Sequence, residues 1–394
     1  MSSPTVPDRT ELAARACEDA GLDDFGEAWI LENLDALILS LNTEAELSPA
    51  GVAIACGMVT RALVNRLRFI DLLKQHPEID DETVDVAAVV VGLPRTGSTM
   101  LHRILASAPG MTGVRWYEAQ NYAPFPDEAR GDAEPRRQAA RQILGYMLQA
   151  IPELMSIHPM DIDQPDEELI ILGQLFSSTM VEGTYFVPAY SRWLTNQDRE
   201  RPYRDLKRIL KALQWQDPTR AGKRWVLKTP GHLMGLDAVS KVFPEAVVVM
   251  THRDPVETVP SYCSMEASLY QMVSERIDNA KVASFWVPRL KQLLDMFMAS
   301  RERLGDQRFL DVRYQDQLRH PARIASEVLA AAGVDVTPEV RAGMDEWIEA
   351  NRREDRAPHR YALQDFGLDA ARVKTQFADY RRRFIETATE TAGE

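Results

Sequence analysis

The chain has 394 residues, which is enough for one large domain or two of ordinary size. Its composition is 45% hydrophobic and 27% charged, as in soluble globular proteins, and this excludes a disordered or fibrous chain. The formal net charge of −13 argues against nucleic acid and acidic membranes as partners, because the field of the molecule repels anions.

Cysteine usage and the first residues favour a cytoplasmic protein. The three cysteines are scattered, which argues against a disulfide framework and against a zinc site. The N-terminal residues include acids and prolines where a signal peptide needs an apolar core. No membrane span is expected, since no window reaches about eighteen uninterrupted apolar residues.

Helices are predicted for the N-terminal part of the chain. From Thr10 to about Gln75, hydrophobic residues recur at helical spacing, and Thr10 and Ser48 are candidate N-caps. We therefore expect residues 1–80 to form a helical segment packed on the core. Residues 81–394 are expected to form a single α/β domain.

The next element is a buried strand that leads into a glycine loop. The β-branched run VAAVVVGL is followed by PRTGST and then by an amphipathic helix. Gly92 and Gly97 have the spacing of a P-loop, whose backbone N–H groups and following helix N-terminus stabilise phosphate. Ser98 stands where a nucleoside triphosphatase has lysine, and Arg95 lies inside the loop. This combination predicts a phosphate ligand without a γ-phosphate.

Further strand-like runs alternate with helical stretches. They are RWVLKTP at 224–230, EAVVVMTHRDP at 245–255 and RFLDVRYQDQL at 308–318. The pattern predicts an α/β fold: a P-loop-type parallel sheet flanked by helices, with a helical N-terminal extension and helical insertions. About residues 126–215 are expected to be mainly helical, either as a cap over a ligand site or as a packing layer.

Charged and hydroxyl side chains follow two of these predicted strands. Arg253 lies just beyond residues 246–250, the apolar part of the second run, and Ser261 follows about two helical turns later, so both could reach a phosphate at the carboxyl edge of the sheet. Lys228 ends the first run, before an early turn at Pro230. A surface Arg–Asp pair and a solvated lysine are the alternatives that these residues leave open.

Three segments together resemble a known family. GLPRTGSTML, LKTPGHL and VVVMTHRDPVETVPSY match, in order and spacing, the sulfotransferases that use 3′-phosphoadenosine 5′-phosphosulfate (PAPS). The resemblance covers about residues 55–380 and points to the bacterial branch with a helical N-terminal extension. It implies PAPS as cosubstrate without a metal ion. By this resemblance the donor-binding residues are Arg95, Thr96, Gly97, Ser98 and Thr99 for the phosphosulfate, and Arg253, Ser261 and Arg360 for the 3′-phosphate.

The resemblance leaves the general base open. Many cytosolic members of the family carry a catalytic histidine two residues after the strand-end lysine, where this chain has Pro230. Several relatives without that histidine use a glutamate at about the position of Glu118, which makes Glu118 the first candidate. His232 is the second. Arg95 and Lys228 are expected to stabilise the charge that develops on the bridging oxygen.

The resemblance thus implies transfer of a sulfuryl group from PAPS to a hydroxyl, or less favourably an amine, of an apolar or aromatic small molecule, a lipid or a glycan. Two other functions are weighed against it. A P-loop small-molecule kinase would need the lysine that the loop lacks. A non-catalytic P-loop-derived binding protein would not need both phosphate sites. The sequence gives no indication of the oligomeric state.

Overall fold

The computed structural model describes residues 5–150, 155, 160–351 and 362–386. The chain divides into two compact units. The helical unit comprises Met1–Val84, Val114–Ala221 and Ser268–Ile277, and the sheet unit comprises Asp85–Gly113, Gly222–Ala267 and Asp278–Glu394. The division between residues 80 and 81 that the sequence suggests stays a prediction.

The sheet unit contains a parallel sheet of five strands in the order β2-β3-β1-β4-β5. The strands are β1 (Val86–Gly92), β2 (Met111–Thr112), β3 (Arg224–Lys228), β4 (Val247–His252) and β5 (Phe309–Arg313). The central strand β1 is buried along its whole length, which explains its continuous apolar run. The predicted parallel sheet is confirmed.

The register of the sheet brings its polar strand ends to one edge. Gly92 of β1 pairs with Thr251 of β4, and His252 of β4 pairs with Arg313 of β5. On the other side of β1, Val90 pairs with Lys228 of β3. Since all of these strands are parallel, their carboxyl ends form the edge where ligands bind in open α/β sheets.

Helices flank this sheet. Those at Ser98–Ser107, Pro321–Ala331 and Pro338–Ala350 share one apolar core with the strands. The remaining α-helices of the sheet unit are Leu236–Val242, Asn279–Leu304, Tyr314–Arg319, Ala370–Gln376 and Ala378–Arg381. The helix Pro255–Val273 contributes residues to both units.

The helical unit confirms the helices that the sequence predicts on either side of the glycine loop. Ser48 caps its helix as predicted, but the prediction for Thr10 was wrong, because Asp8 accepts the capping hydrogen bond from the backbone N–H of Glu11. The described α-helices of this unit include Arg9–Ala20, Trp29–Thr43, Pro49–Gln75, Trp116–Gln120, Glu134–Ala150, Leu169–Gln174, Thr179–Thr184, Pro188–Thr195 and Glu200–Gln216.

The helix Pro49–Gln75 is long and apolar enough to cross a membrane by length and composition. Half of its most apolar window is nevertheless buried inside the fold. Its Arg66 side chain is also buried and donates hydrogen bonds to Asp205 Oδ2 at 2.7 Å and to Phe25 O at 2.8 Å. A core helix of a soluble protein has the same character, so this helix is weak evidence for a membrane span.

Candidate functional site

Two threonines and a glycine fix the start of the loop after β1. Thr96 Oγ1 lies 2.7 Å from Leu93 O and 2.6 Å from Thr251 Oγ1. Gly92 approaches β4 so closely that a Cβ atom there would lie 2.3 Å from Thr251 Oγ1. The loop is therefore tied to the neighbouring strand at a position that only glycine fits.

The end of the loop is held from the other direction by Gln317. Its side-chain Nε2 donates to Thr96 O at 3.1 Å, and a Cβ atom on Gly97 would lie 1.8 Å from that nitrogen. Gly97 has φ 85° and directly precedes the helix Ser98–Ser107. The first backbone N–H groups of a helix have no intrahelical acceptor, so this terminus offers donors to an anion.

Arg95, Arg253 and Ser261, predicted to bind two different phosphate groups, lie together. Arg95 Nε donates to Ser261 Oγ at 3.1 Å, and Arg253 Nη1 donates to Arg95 O at 3.0 Å. Arg95 has φ 70°, a left-handed conformation that is costly for a non-glycine residue and that these contacts help to maintain. Arg95, predicted to bind the phosphosulfate, and the pair Arg253 and Ser261, predicted to bind the 3′-phosphate, therefore form one cluster.

Arg253 is held in a fixed orientation. Its guanidinium carbon lies 4.2 Å from the centroid of the Tyr314 ring, and its Nε donates to Glu257 Oε2 at 2.9 Å. A planar guanidinium that is stacked and anchored in this way loses little further side-chain entropy when it binds an oxyanion.

Lys228 reaches the first turn of the helix after the loop. Its side chain is fully buried at the end of β3, and Nζ donates to Thr99 Oγ1 at 3.0 Å. His232 is also fully buried, in the short 3₁₀ helix Pro230–Met234 that follows this strand. Thr229 caps that turn by accepting from the backbone N–H of Gly231. A buried lysine beside a loop hydroxyl provides a positive charge where a phosphate-derived oxygen would need one.

Glu118 belongs to the helical unit, at the third position of the helix Trp116–Gln120. Its Oε2 accepts from the backbone N–H of Arg115 at 2.8 Å and from Arg220 Nη2 at 2.8 Å. Its Oε1 accepts from the Tyr117 hydroxyl at 3.2 Å. Glu118 and Arg220 are both buried, so their contact is shielded from water. Its role as general base stays a prediction, as does that of His232.

Sequence reasoning missed three residues of the loop site: Thr251, Tyr314 and Gln317. Tyr314 directly follows β5 and Gln317 lies in the helix that Tyr314 begins, so the rule that ligands bind at the carboxyl edge of a parallel sheet could have pointed to them. Thr251 is the last residue but one of β4 and carries no signal in the sequence alone. Arg360, the remaining predicted donor ligand, lies outside the described residues.

Comparison with known proteins gives a consistent result. A model of the sulfotransferase family matches residues 88–338. The crystal structure of sulfotransferase STF1 from Mycobacterium tuberculosis H37Rv is 30% identical, with a TM-score of 0.82, over 95% of this chain and 99% of that chain. The crystal structure of sulfotransferase STF9 from Mycobacterium avium is 26% identical, with a TM-score of 0.85, over 98% of both chains.

A curated relative is the omega-hydroxy-beta-dihydromenaquinone-9 sulfotransferase Stf3 of Mycobacterium tuberculosis, 26% identical over 254 residues. That match covers 61% of this chain and 61% of the relative's length. The family model covers well over half of the chain, and the STF1 structure extends the similarity to nearly all of it. The chain belongs to the sulfotransferase family.

Proposed function

We propose that this protein is a PAPS-dependent sulfotransferase that transfers the sulfuryl group to a hydroxyl of an apolar, lipid-like or aromatic molecule. One observation carries the proposal. Arg95, Arg253 and Ser261 converge on a P-loop-like turn whose usual lysine position is occupied by Ser98. A donor with phosphate groups at both ends of its ribose, and without a γ-phosphate, matches this distribution of positive charge.

The donor would be held at two places. The loop Arg95–Thr99 and the N-terminus of its helix would bind the 5′-phosphosulfate through backbone N–H groups and the hydroxyls of Ser98 and Thr99. Arg253 and Ser261 would bind the 3′-phosphate, with Arg360 as a further ligand. Family membership and the short contacts among Arg95, Arg253 and Ser261 support this assignment.

The transfer reaction requires two things of these residues: stabilisation of the developing charge and removal of the acceptor's proton. In the transfer, an acceptor oxygen forms a bond to sulfur while the bond from sulfur to the bridging phosphate oxygen breaks, and that oxygen keeps the electron pair. Lys228 and Arg95 would stabilise the charge on the bridging oxygen, since both lie at the phosphosulfate loop. The acceptor's proton would pass to Glu118, or to His232 as the second candidate.

The acceptor class is proposed from a relative and from composition. The curated relative is named for a hydroxylated menaquinone derivative, a lipid-like molecule. A hydroxyl on a lipid or on an aromatic small molecule is therefore the first class to test, with a glycan as the alternative. We further propose that the protein acts in the cytoplasm, where its three cysteines stay reduced.

The donor assignment can be tested by calorimetric titration of the full chain with adenosine 3′,5′-bisphosphate in the absence of metal. We expect binding that weakens at least about tenfold in Arg253→Ala, because a charge-assisted contact is lost. The matched control is Arg323→Ala, which removes an exposed arginine whose ion pair in the described part of the chain is with Glu327. A preference for ATP with magnesium, or no binding of the bisphosphate, would overturn the proposal.

The transfer step needs a separate assay. Radiolabelled PAPS is offered with a panel of acceptors: a prenyl alcohol, a long-chain alcohol, a phenol and a monosaccharide. The proposal expects label transfer to one of the first three. Bisphosphate binding without transfer to any acceptor in such a panel, widened to lipid extracts, would favour a non-catalytic binding protein.

A further inference from the structure

The helical unit contains a large cavity, and Glu118, the first candidate for the general base, is one of its lining residues. Its volume is about 820 Å³, and every residue that lines it belongs to the helical unit. Small-molecule sites commonly have volumes of about 300–1,000 Å³. We propose that this cavity, here called the arginine cavity, binds a small organic anion that carries an aromatic ring. Its defining residues are Arg68, Tyr117, Phe125, Arg130, Trp215 and Gln216.

Pairs of arginine and aromatic side chains form much of its wall. The guanidinium carbon of Arg68 lies 5.0 Å from the centroid of the Phe125 ring, and that of Arg130 lies 4.8 Å from the Trp215 ring. Arg137 makes a similar contact with Tyr117, at 4.9 Å. Stacking fixes the plane of each guanidinium and leaves its N–H edge able to donate to an oxyanion. The same rings offer faces on which a flat apolar group can pack.

The positive charge of Arg68 is not balanced inside the part of the chain that the structure describes. No ion pair or hydrogen bond to a carboxylate forms on this side chain, and its Nε is buried without a hydrogen-bond partner. Burial lowers the pKa of Arg68, and no nearby carboxylate opposes that effect. Arg68 is only half-buried, but its buried Nε lacks a hydrogen-bond partner, and an anion bound beside the guanidinium would supply both an acceptor and a counter-charge.

The acidic residues of the cavity are largely engaged by other groups. Glu128 pairs with Arg136 at 2.6 Å, and Asp217 pairs with Arg115 at 3.0 Å. Glu118 is held by Arg220. Of the other two acids, Asp71 on the helix Pro49–Gln75 accepts from Gln75 Nε2, and Asp132, in the loop before the helix Glu134–Ala150, accepts from the backbone N–H of Glu134. Neutral donors do not cancel the charges of Asp71 and Asp132, but among the described residues no acid of the cavity forms an ion pair with Arg68.

The side-chain amide of Gln216 supports a ligand in the arginine cavity independently of the arginine contacts. This residue is only 6% exposed and lines the cavity, yet neither its amide nitrogen nor its amide oxygen has a hydrogen-bond partner among the described residues. A buried amide that makes no hydrogen bond costs about 1–3 kcal/mol, so such groups usually mark a site that a ligand or water completes. The amide can donate to an oxyanion and accept from a ligand hydroxyl.

The test is calorimetric titration of the full chain with 2-naphthalenesulfonate, a ring with one anionic group that cannot donate its sulfur in a transfer reaction. We expect one binding site for the sulfonate. Neutral 2-naphthol should bind more weakly because it lacks the anionic group, and inorganic sulfate should bind more weakly because it lacks the aromatic ring. Arg68→Met keeps the apolar stem and removes the charge, and should weaken the affinity at least about tenfold. The matched control, Arg323→Met, should leave it unchanged.

Three results would overturn the proposal: equal affinity in Arg68→Met, equal affinity for 2-naphthol, or displacement of the sulfonate by adenosine 3′,5′-bisphosphate. Gln216→Met is a second variant that preserves side-chain length, and it should weaken binding by about threefold or more even if Arg68→Met does not fold. Because the proposal concerns the helical unit alone, its failure leaves bisphosphate binding intact. Failure of the proposed function would likewise leave sulfonate binding intact.

Discussion

Tyr314 illustrates how a single ring prepares a charged side chain for its ligand. Its face lies against the guanidinium of Arg253, which also holds the backbone oxygen of Arg95. Removal of the ring in Tyr314→Leu frees Arg253 to adopt other rotamers. We expect the affinity for adenosine 3′,5′-bisphosphate to fall by about two- to fivefold, because a cation–π contact contributes about 0.5–1 kcal/mol at such sites. The KM for PAPS should rise with little change in kcat.

The control for this variant is Tyr314→Phe, which keeps the ring face and should bind the bisphosphate like the parent chain. Calorimetry measures both variants, and steady-state kinetics separate KM from kcat. If Tyr314→Leu retained full affinity, Arg253 would not depend on the ring for its orientation.

Whether Glu118 is the general base can be tested by substitution. Its carboxylate already accepts hydrogen bonds from Arg115, Tyr117 and Arg220 without an acceptor present. If it is the general base, Glu118→Gln should lower kcat by about 10²–10⁴-fold and flatten the acidic side of the pH–rate profile. Bisphosphate affinity should persist. The variant also leaves Arg220 without its buried counter-charge, so thermal unfolding must be measured in parallel.

His232→Asn is the informative partner of that experiment. A large loss of kcat in His232→Asn, together with a kcat in Glu118→Gln within about threefold of the parent value, would assign the base to His232. The reverse outcome would assign it to Glu118 and make the buried ion pair with Arg220 part of how that carboxylate is oriented.

At the scale of elements, the loop between β1 and the helix Ser98–Ser107 requires glycine at position 97, where a side chain would collide with Gln317. In Gly97→Ala the new methyl would lie 1.8 Å from Gln317 Nε2, which holds Thr96 O. We expect this variant to lose at least about tenfold in bisphosphate affinity, since the loop must shift away from its binding conformation. Calorimetry of the folded variant measures the loss.

Gly110→Ala is a matched control for that variant. Gly110 has φ 80°, close to the 85° of Gly97, but a methyl there would have no atom within 4 Å. Both variants place alanine at a similar positive φ, but only Gly97→Ala adds a steric conflict with Gln317. Equal bisphosphate affinities in the two would show that Gln317 yields easily and that the loop is not fixed from that side.

Long strands and the loop were predictable from sequence because their signals are local. The runs at β1, β3, β4 and β5 are apolar and end in recognisable turns, and all four strands were predicted. The strand β2, Met111–Thr112, was not predicted, because two residues carry no periodic pattern and pair only through Arg224 and Trp225. Contacts between distant segments, such as Arg253 on Tyr314, are set by tertiary packing and had no sequence signal.

The acid stability of the whole molecule depends on a partly buried network in the sheet unit. His252 is hydrogen-bonded through Nε2 to Asp311 Oδ1 at 2.8 Å and through Nδ1 to the Tyr380 hydroxyl at 2.8 Å. Arg301 donates two hydrogen bonds to the Asp311 carboxylate, at 2.6 and 2.9 Å. The network thereby ties Tyr380 of the helix Ala378–Arg381 to the ends of β4 and β5.

The pKa values of the network predict how stability changes with pH. Burial alone would raise the pKa of Asp311, but hydrogen bonds from His252 and Arg301 outweigh it and hold the pKa well below its ordinary value of 3.8. Burial lowers the pKa of His252 below 6.5, although Asp311 partly opposes this. In both cases the unfolded chain binds protons more readily, so the free energy of unfolding must fall as the pH falls: from about 6.5 downward for His252 and below about 4 for Asp311.

Asp311→Asn tests this argument. At pH 7 the variant should be less stable by about 1 kcal/mol, a value reduced from that of a fully buried charged bond because Asp311 is partly exposed. The deficit should shrink as the pH falls from 4 to 3, because the unfolded parent chain then takes up a proton on Asp311 while the folded chain keeps the charge, which lowers the parent's free energy of unfolding. Asp379→Asn, which removes an exposed partner of Arg382, should match the parent chain throughout. Urea unfolding at pH 7, 5, 4 and 3 measures all three chains, and a deficit that is constant over this range would mean that Asp311 stabilises the fold by packing and not through its charge.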